Sequence, residues 1–141
     1  MEVSIVSLLV QIAMLLVLLI ILAAVVFGVY VRLAPVNATR FHIMRDGAED
    51  RDFEGGAIRV VEGDLAALDA IAQTEPRTKL VAGSVAEGMI TYITRTALWG
   101  FPDYTTVKQE GDKLVMHARL RFGRSDFGVN RKRLQRWISQ L

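Results

Sequence analysis

From Val3 to Val31 the chain carries no charged side chain. Glu2 and Arg32 bracket 29 consecutive uncharged positions, mostly Leu, Ile, Val and Ala. A run of this length is too apolar for the surface of a small domain and too long to hide inside one. As a helix rising about 1.5 Å per residue it reaches roughly 44 Å, against a hydrocarbon core of about 30 Å. Residues 1–32 therefore read as one membrane-spanning helix, with residues 3–31 in the lipid bilayer, tilted or projecting as a short stalk. Tyr30 and Arg32 fall where an interfacial anchor belongs. A cleaved leader is the competing reading. Leaders open on a basic stretch and carry roughly 7–15 apolar residues; here Glu2 precedes a run about twice as long. A retained anchor is the expectation. The span is followed by Arg32, Arg40, Arg45 and Arg51 and preceded only by Glu2. The positive-inside rule then places the remainder on the cytoplasmic side, of the inner membrane in a bacterium.

The 141 residues leave room, after this segment, for one small domain. A two-domain enzyme and a multi-span transporter are excluded. Cysteine is absent, which removes disulfides, thiolate metal sites, iron–sulfur clusters, a thiol nucleophile and lipid attachment through sulfur. The net charge of +2 is modest but unevenly spread. Residues 119–141 hold Arg119, Arg121, Arg124, Arg131, Lys132, Arg133 and Arg136 against Asp126 alone, whereas residues 33–118 are net acidic. That polarity raises the question of a partner.

Residues 33–56 read as a connector. Pro35 stops the helix because its ring clashes with the preceding turn, and Asp46-Gly47 and Gly55-Gly56 are turn signals. The acids around them lack calcium-loop spacing and read as a solvated loop. Residues 57–141 read as an α+β domain. Ala57–Val61 is a short strand, and Asp64 caps a helix to about Gln73 with Leu65, Leu68 and Ile71 on one face. Two hairpins follow: Lys79–Ala86 with Met89–Ala97, and Tyr104–Gln109 with Lys113–Phe122. A final helix spans about Asn130–Gln140, with Asn130 as N-cap and Leu134, Trp137, Ile138 and Leu141 as its apolar stripe. The expected architecture is a mainly antiparallel sheet of four to five strands with two helices on its inner face. In the last strand Leu114, Met116, Ala118, Leu120 and Phe122 should face the core. Val115, His117, Arg119 and Arg121 should then face the open side.

Thr94-Arg95-Thr96-Ala97-Leu98-Trp99-Gly100-Phe101-Pro102-Asp103-Tyr104 contains a G-F-x-D turn. Ser125-Asp126-Phe127-Gly128-Val129-Asn130-Arg131 forms an S-D-x-G-x-N-R segment running into the last helix. With Ala82–Gly88, these resemble the family called domain of unknown function 1499 over about residues 57–141. Some bacterial members of that family carry a membrane anchor ahead of the domain. A Pro-Asn-Cys-Val-Ser-Ser-like segment found near the domain start in many members is missing here, with Pro35-Val36-Asn37-Ala38-Thr39 at best a remnant. The resemblance implies no reaction.

The residues themselves supply no catalytic constellation. H-E-x-x-H, G-x-S-x-G and a P-loop are absent, and His42 and His117 are the only histidines. No cofactor, metal or nucleic acid is expected. His117, Arg119 and Arg121 share one strand face at about 7 Å intervals. Arg124 follows in the turn, and Arg131 opens the last helix, where free N–H groups favour an anion. This set reads either as an anion or partner site, for lipid headgroups or a membrane protein, or as a solvated face with structural salt bridges. Asp126 and Asn130 are expected to shape the turn and the cap. The function expected is a single-pass membrane-anchored binding, accessory or scaffolding module without catalysis. The alternative is a membrane-tethered, hydrolase-like enzyme acting on an anionic substrate at His117, Arg119 and Arg121.

Overall fold

The computed structural model describes residues 4–44 and 46–141. Val3 and Arg45, which enter the span and orientation arguments, lie outside the described residues. Two compact units form, residues 1–34 and residues 35–141.

The first unit is α1, Ile5–Leu33. Ser4 caps it through its hydroxyl, which accepts from the N–H of Val6, and Pro35 follows its end. It is the one described helix long and apolar enough to cross a membrane by length and composition, with a mean hydropathy of 3.3. Its Leu, Ile and Val side chains are exposed from Ile5 to Val29, while Val31 is buried.

The second unit is α+β. Its elements are α2 (Ala38–Phe41), β1 (Arg51–Phe53), β2 (Gly56–Glu62), α3 (Leu65–Thr74), β3 (Thr78–Ser84), β4 (Met89–Arg95), β5 (Pro102–Glu110), β6 (Lys113–Leu120) and α4 (Val129–Ile138). The six strands form one antiparallel sheet in the order β1-β2-β6-β5-β4-β3. The hairpins sit where the turn residues put them. Gly111, at a φ of 63°, is the first residue of the two-residue β5–β6 link, the glycine position of a type II′ turn. Asp64 caps α3, its carboxylate accepting from the N–H of Ala67.

α3 and α4 cover one face of the sheet. Between them and the strands lies the main core, with Leu65, Leu68, Ile90, Tyr92, Leu114, Met116, Leu134 and Trp137 all buried. Tyr92 and Trp137 meet edge to face at 5.6 Å. The Tyr92 hydroxyl donates to Asp69 and the Trp137 indole N–H to Glu75, so both aromatic residues satisfy their polar ends.

Three expectations need correction. The sheet has six strands, because β1 and the short α2 lie inside the stretch read as a connector; Asp52 and Asp50 serve this added edge rather than solvent. Asp52 pairs with Arg59, and Asp50 accepts from the N–H of Val60. Asn130 is not the cap of α4. The cap position is Gly128, at a φ of 78° that favours glycine, and Asn130 is the second residue of the helix and fully buried. Third, the far face of the sheet is not open. Residues 35–42 lie across it, and Tyr104, Thr106 and Val115 are buried there beside the expected core positions.

Candidate functional site

The far face is built around Phe41. Its ring stacks on Tyr104 at 3.8 Å with only 2° between planes. Its carbonyl accepts from the Thr106 hydroxyl at 2.6 Å and from an Arg119 guanidinium N–H at 2.5 Å. The N–H of Asn37 donates to the Tyr104 hydroxyl, and His42 Nδ1 lies 2.8 Å from Thr91 Oγ1. Arg121 donates to the carbonyl of Pro35. Arg119 on β6 and Arg121 just past its end therefore hold the covering segment by its backbone.

Beside this clamp a cleft of about 460 Å³ remains, lined by Arg40, Ile43, Met44, Ala48, Arg51, Phe53, Ile58, His117 and Arg119. Arg119 also donates to His117 Nδ1 at 2.5 Å, which leaves the ring proton on Nε2. Phe53 meets the His117 ring edge-on at 5.6 Å. Burial pushes the Arg119 guanidinium down to about 10, with the neighbouring charge of Arg40 as a second cause. Arg40 and Arg51 lie near the rings of Phe41 and Phe53, at 5.5 and 5.8 Å. Among the described residues no carboxylate forms an ion pair with Arg40, Arg51 or Arg119. Three cations thus gather over an apolar floor with their charge uncompensated, an arrangement suited to an anion bearing an apolar tail.

Of the five predicted anion-site residues, only His117 and Arg119 come together in this cleft. Arg121 is committed to Pro35, Arg124 pairs with Glu54 at 3.0 Å, and Arg131 pairs with Asp52 at 3.3 Å. The helix N-terminus already holds an anion of its own. Asp126 accepts from the N–H of Gly128 at 2.9 Å and of Asn130 at 3.0 Å, filling the place considered for a ligand beside Arg131.

Sequence reasoning missed Arg40 and Arg51 as cleft residues and Asp103 and Arg133 as a buried pair. Arg133 and Asp103 are 3.5 Å apart with side chains only 4% and 7% exposed, and Arg133 also donates to Asn130 Oδ1 at 2.5 Å. Burial raises the Asp103 carboxyl to about 6, while Arg133 opposes the shift. Burial lowers Arg133, and Asp103 opposes that. The Nδ2 of Asn130, the Nε of Arg133 and the hydroxyl of Thr105 are buried without a hydrogen-bond partner. The signal was present. Asp103 ends the G-F-x-D turn, and Asn130 and Arg133 are one turn apart on α4, so both motifs meet in one buried polar cluster.

No curated protein and no solved structure matches this chain. The family model described as "Protein of unknown function (DUF1499)" matches residues 34–141, and with that match spanning most of its length the chain belongs to this family.

Proposed function

We propose that this protein is a single-pass membrane-anchored binding module, retained through Ile5–Leu33, whose domain takes an amphiphilic anion in the cleft under Arg40, Arg51 and Arg119. The observation that carries this reading is the gathering of three carboxylate-free guanidiniums over Ile43, Met44, Phe53 and Ile58. The cations hold the head group of the ligand and the apolar floor takes its chain. Arg32, Arg40 and Arg51 after the span favour a cytoplasmic domain. Binding is preferred to hydrolysis because of what lines the cleft. His117 Nδ1 is occupied by Arg119, and no carboxylate, hydroxyl or thiol among the described lining residues stands ready to work with it.

The test is titration of a chain starting at Pro35 with octyl phosphate, followed by calorimetry, with octanol as the uncharged comparison. Saturable binding of octyl phosphate alone is expected. Arg40→Gln and Arg51→Gln should each weaken it about tenfold, because a charged hydrogen bond contributes about 1.5–3 kcal/mol. Arg124→Gln, outside the cleft, should leave it unchanged. Equal binding of octanol, or full binding by both cleft variants, would refute the reading.

A further inference from the structure

The two ends of the sheet differ in chemistry. The strand register brings Gly56, Arg95, Pro102 and Leu120 to one end, together with the loops 96–101 and 121–128. Pro35, where the chain enters the domain, is held at this same end by Arg121. The opposite end carries the β2–α3 link and the hairpin turns with Glu62, Asp64, Glu87, Glu110 and Asp112. The entry end carries Arg95, Arg121 and Arg124, the last with its side chain 89% exposed, against Glu54, which pairs with Arg124, and Asp126, which caps α4.

The same end presents large apolar side chains to solvent. Phe127 is 90% exposed, Leu98 75% and Trp99 41%. Phe127 has a φ of 52°, a left-handed conformation uncommon for a bulky residue, with Gly128 following at 78°. Its loop is closed by Asp126 and by Ser125 Oγ, which accepts from the N–H of Phe127. The loop is thus built to hold the ring outward. Separate exposed apolar residues are ordinary, but several on neighbouring loops beside arginines mark an interaction surface. An indole and large apolar tips flanked by cations suit the boundary between lipid headgroups and acyl chains.

The partner follows from connectivity. Only Ala34 separates Pro35 from the last residue of α1, so a bilayer holding α1 is present at high effective concentration close to this end. We infer that the loop end of the domain docks on an anionic bilayer surface, with Leu98, Trp99 and Phe127 entering the interface and Arg121 and Arg124 meeting lipid phosphates. The acidic end then points away from the lipid, as repulsion by anionic headgroups requires. This inference rests on the reading of Ile5–Leu33 as a retained anchor.

The absence of cysteine allows a direct test. Full-length chains carrying Leu98→Cys, Phe127→Cys or Val85→Cys, the last at the acidic end, are labelled with an environment-sensitive fluorophore. They are then reconstituted into phosphatidylcholine–phosphatidylglycerol bilayers containing brominated acyl chains. Labels at 98 and 127 should be blue-shifted and quenched severalfold more strongly than the label at 85. The difference should shrink in pure phosphatidylcholine or at high salt. Labels at 98 and 127 as aqueous as the one at 85, in a chain that survives alkaline washing of the bilayers, overturn the docking inference and leave the anchor reading standing. A chain released by the wash overturns both. Shielding that persists in detergent and grows with protein concentration identifies a second copy as the occupant and overturns the lipid assignment.

Discussion

The buried pair Asp103–Arg133 makes a prediction whose sign is set by burial. At 3.5 Å, and with an effective dielectric of about 20, their attraction is about 5 kcal/mol. Removing each charge from water costs several kcal/mol. For Asp103 burial is the larger effect, and its carboxyl rises from 3.8 to about 6. An acid whose folded value is raised contributes stability that is fully present below its unfolded value and is lost as pH rises through its folded value. Between pH 3 and pH 7 the loss attributable to Asp103 is thus about 3 kcal/mol. Asp46 and Asp52 are held below the usual carboxylate range, by Lys108 and by Arg59 respectively. They act in the opposite sense and in a more acidic window. Urea unfolding of the chain from Pro35, at a series of pH values, reads the effect. The wild type should lose stability from pH 5 to pH 7.5 relative to Asp103→Asn. In Arg133→Met the opposing cation is gone, so the carboxyl should titrate at still higher pH. If Asp103→Asn shows the pH dependence of the wild type, then Asp103 is not desolvated as its position requires, and the account of the cluster fails.

Asp126→Ala removes the acceptor of two N–H groups at the start of α4 and should cost about 1–2 kcal/mol in the same unfolding assay, whereas Arg124→Ala, an exposed pair with Glu54, should cost less than about 1 kcal/mol. Trp137→Ala, which empties a fully buried site against Tyr92, should cost about 3–5 kcal/mol; a loss below about 1 kcal/mol would contradict the packing of α4 on the sheet.

The helix and strand pattern of residues 57–141 was legible because each element carries its own local signal. Leu65 and Leu68 share one helical face behind an aspartate cap, Leu114, Met116 and Ala118 alternate on one strand face, and both hairpin turns contain glycine. What escaped depends on contacts far apart in sequence. Alternation in β6 separates two faces, but it does not say that both are covered. In β5 buried residues run without a break from Pro102 to Val107, so the strand is enclosed on both sides, but Asp103, Thr105 and Thr106 deny it the apolar run that would have shown this in the sequence. Asn130 looks like a cap because Asx residues favour that position. Asp126 takes the role from four residues upstream because Gly128 lets the chain turn between them. Asp103 and Asn130 stood out as motif residues, but their burial with Arg133 did not, since composition treats each as a surface residue. Arg40 and Arg51 lay in a stretch with no periodic pattern, and their role appears only once Phe41 is placed on Tyr104.

The covering segment gives the most direct test of where the domain begins. The family match starts at residue 34 and the compact unit at Pro35, whereas the pattern of regular elements suggests Ala57. The difference is residues 35–56. Without them β2 loses its edge partner, the Tyr104 ring loses its stack, and Arg119 and Arg121 lose the carbonyls they hold. Truncating a buried Phe such as Phe41 costs about 3–5 kcal/mol by itself. A domain of this size has about 5–15 kcal/mol in total. A chain starting at Pro35 should therefore unfold cooperatively, while one starting at Ala57 should be unfolded or close to its midpoint without denaturant. Phe41→Ala in the longer chain separates packing from length, and it should recover a large part of the loss. Arg121→Ala should cost less, because its guanidinium is solvent-accessible and only one carbonyl is released. If the chain from Ala57 unfolds at the same urea concentration as the chain from Pro35, residues 35–56 are a connector after all, and the cleft they complete is not a fixed part of the domain.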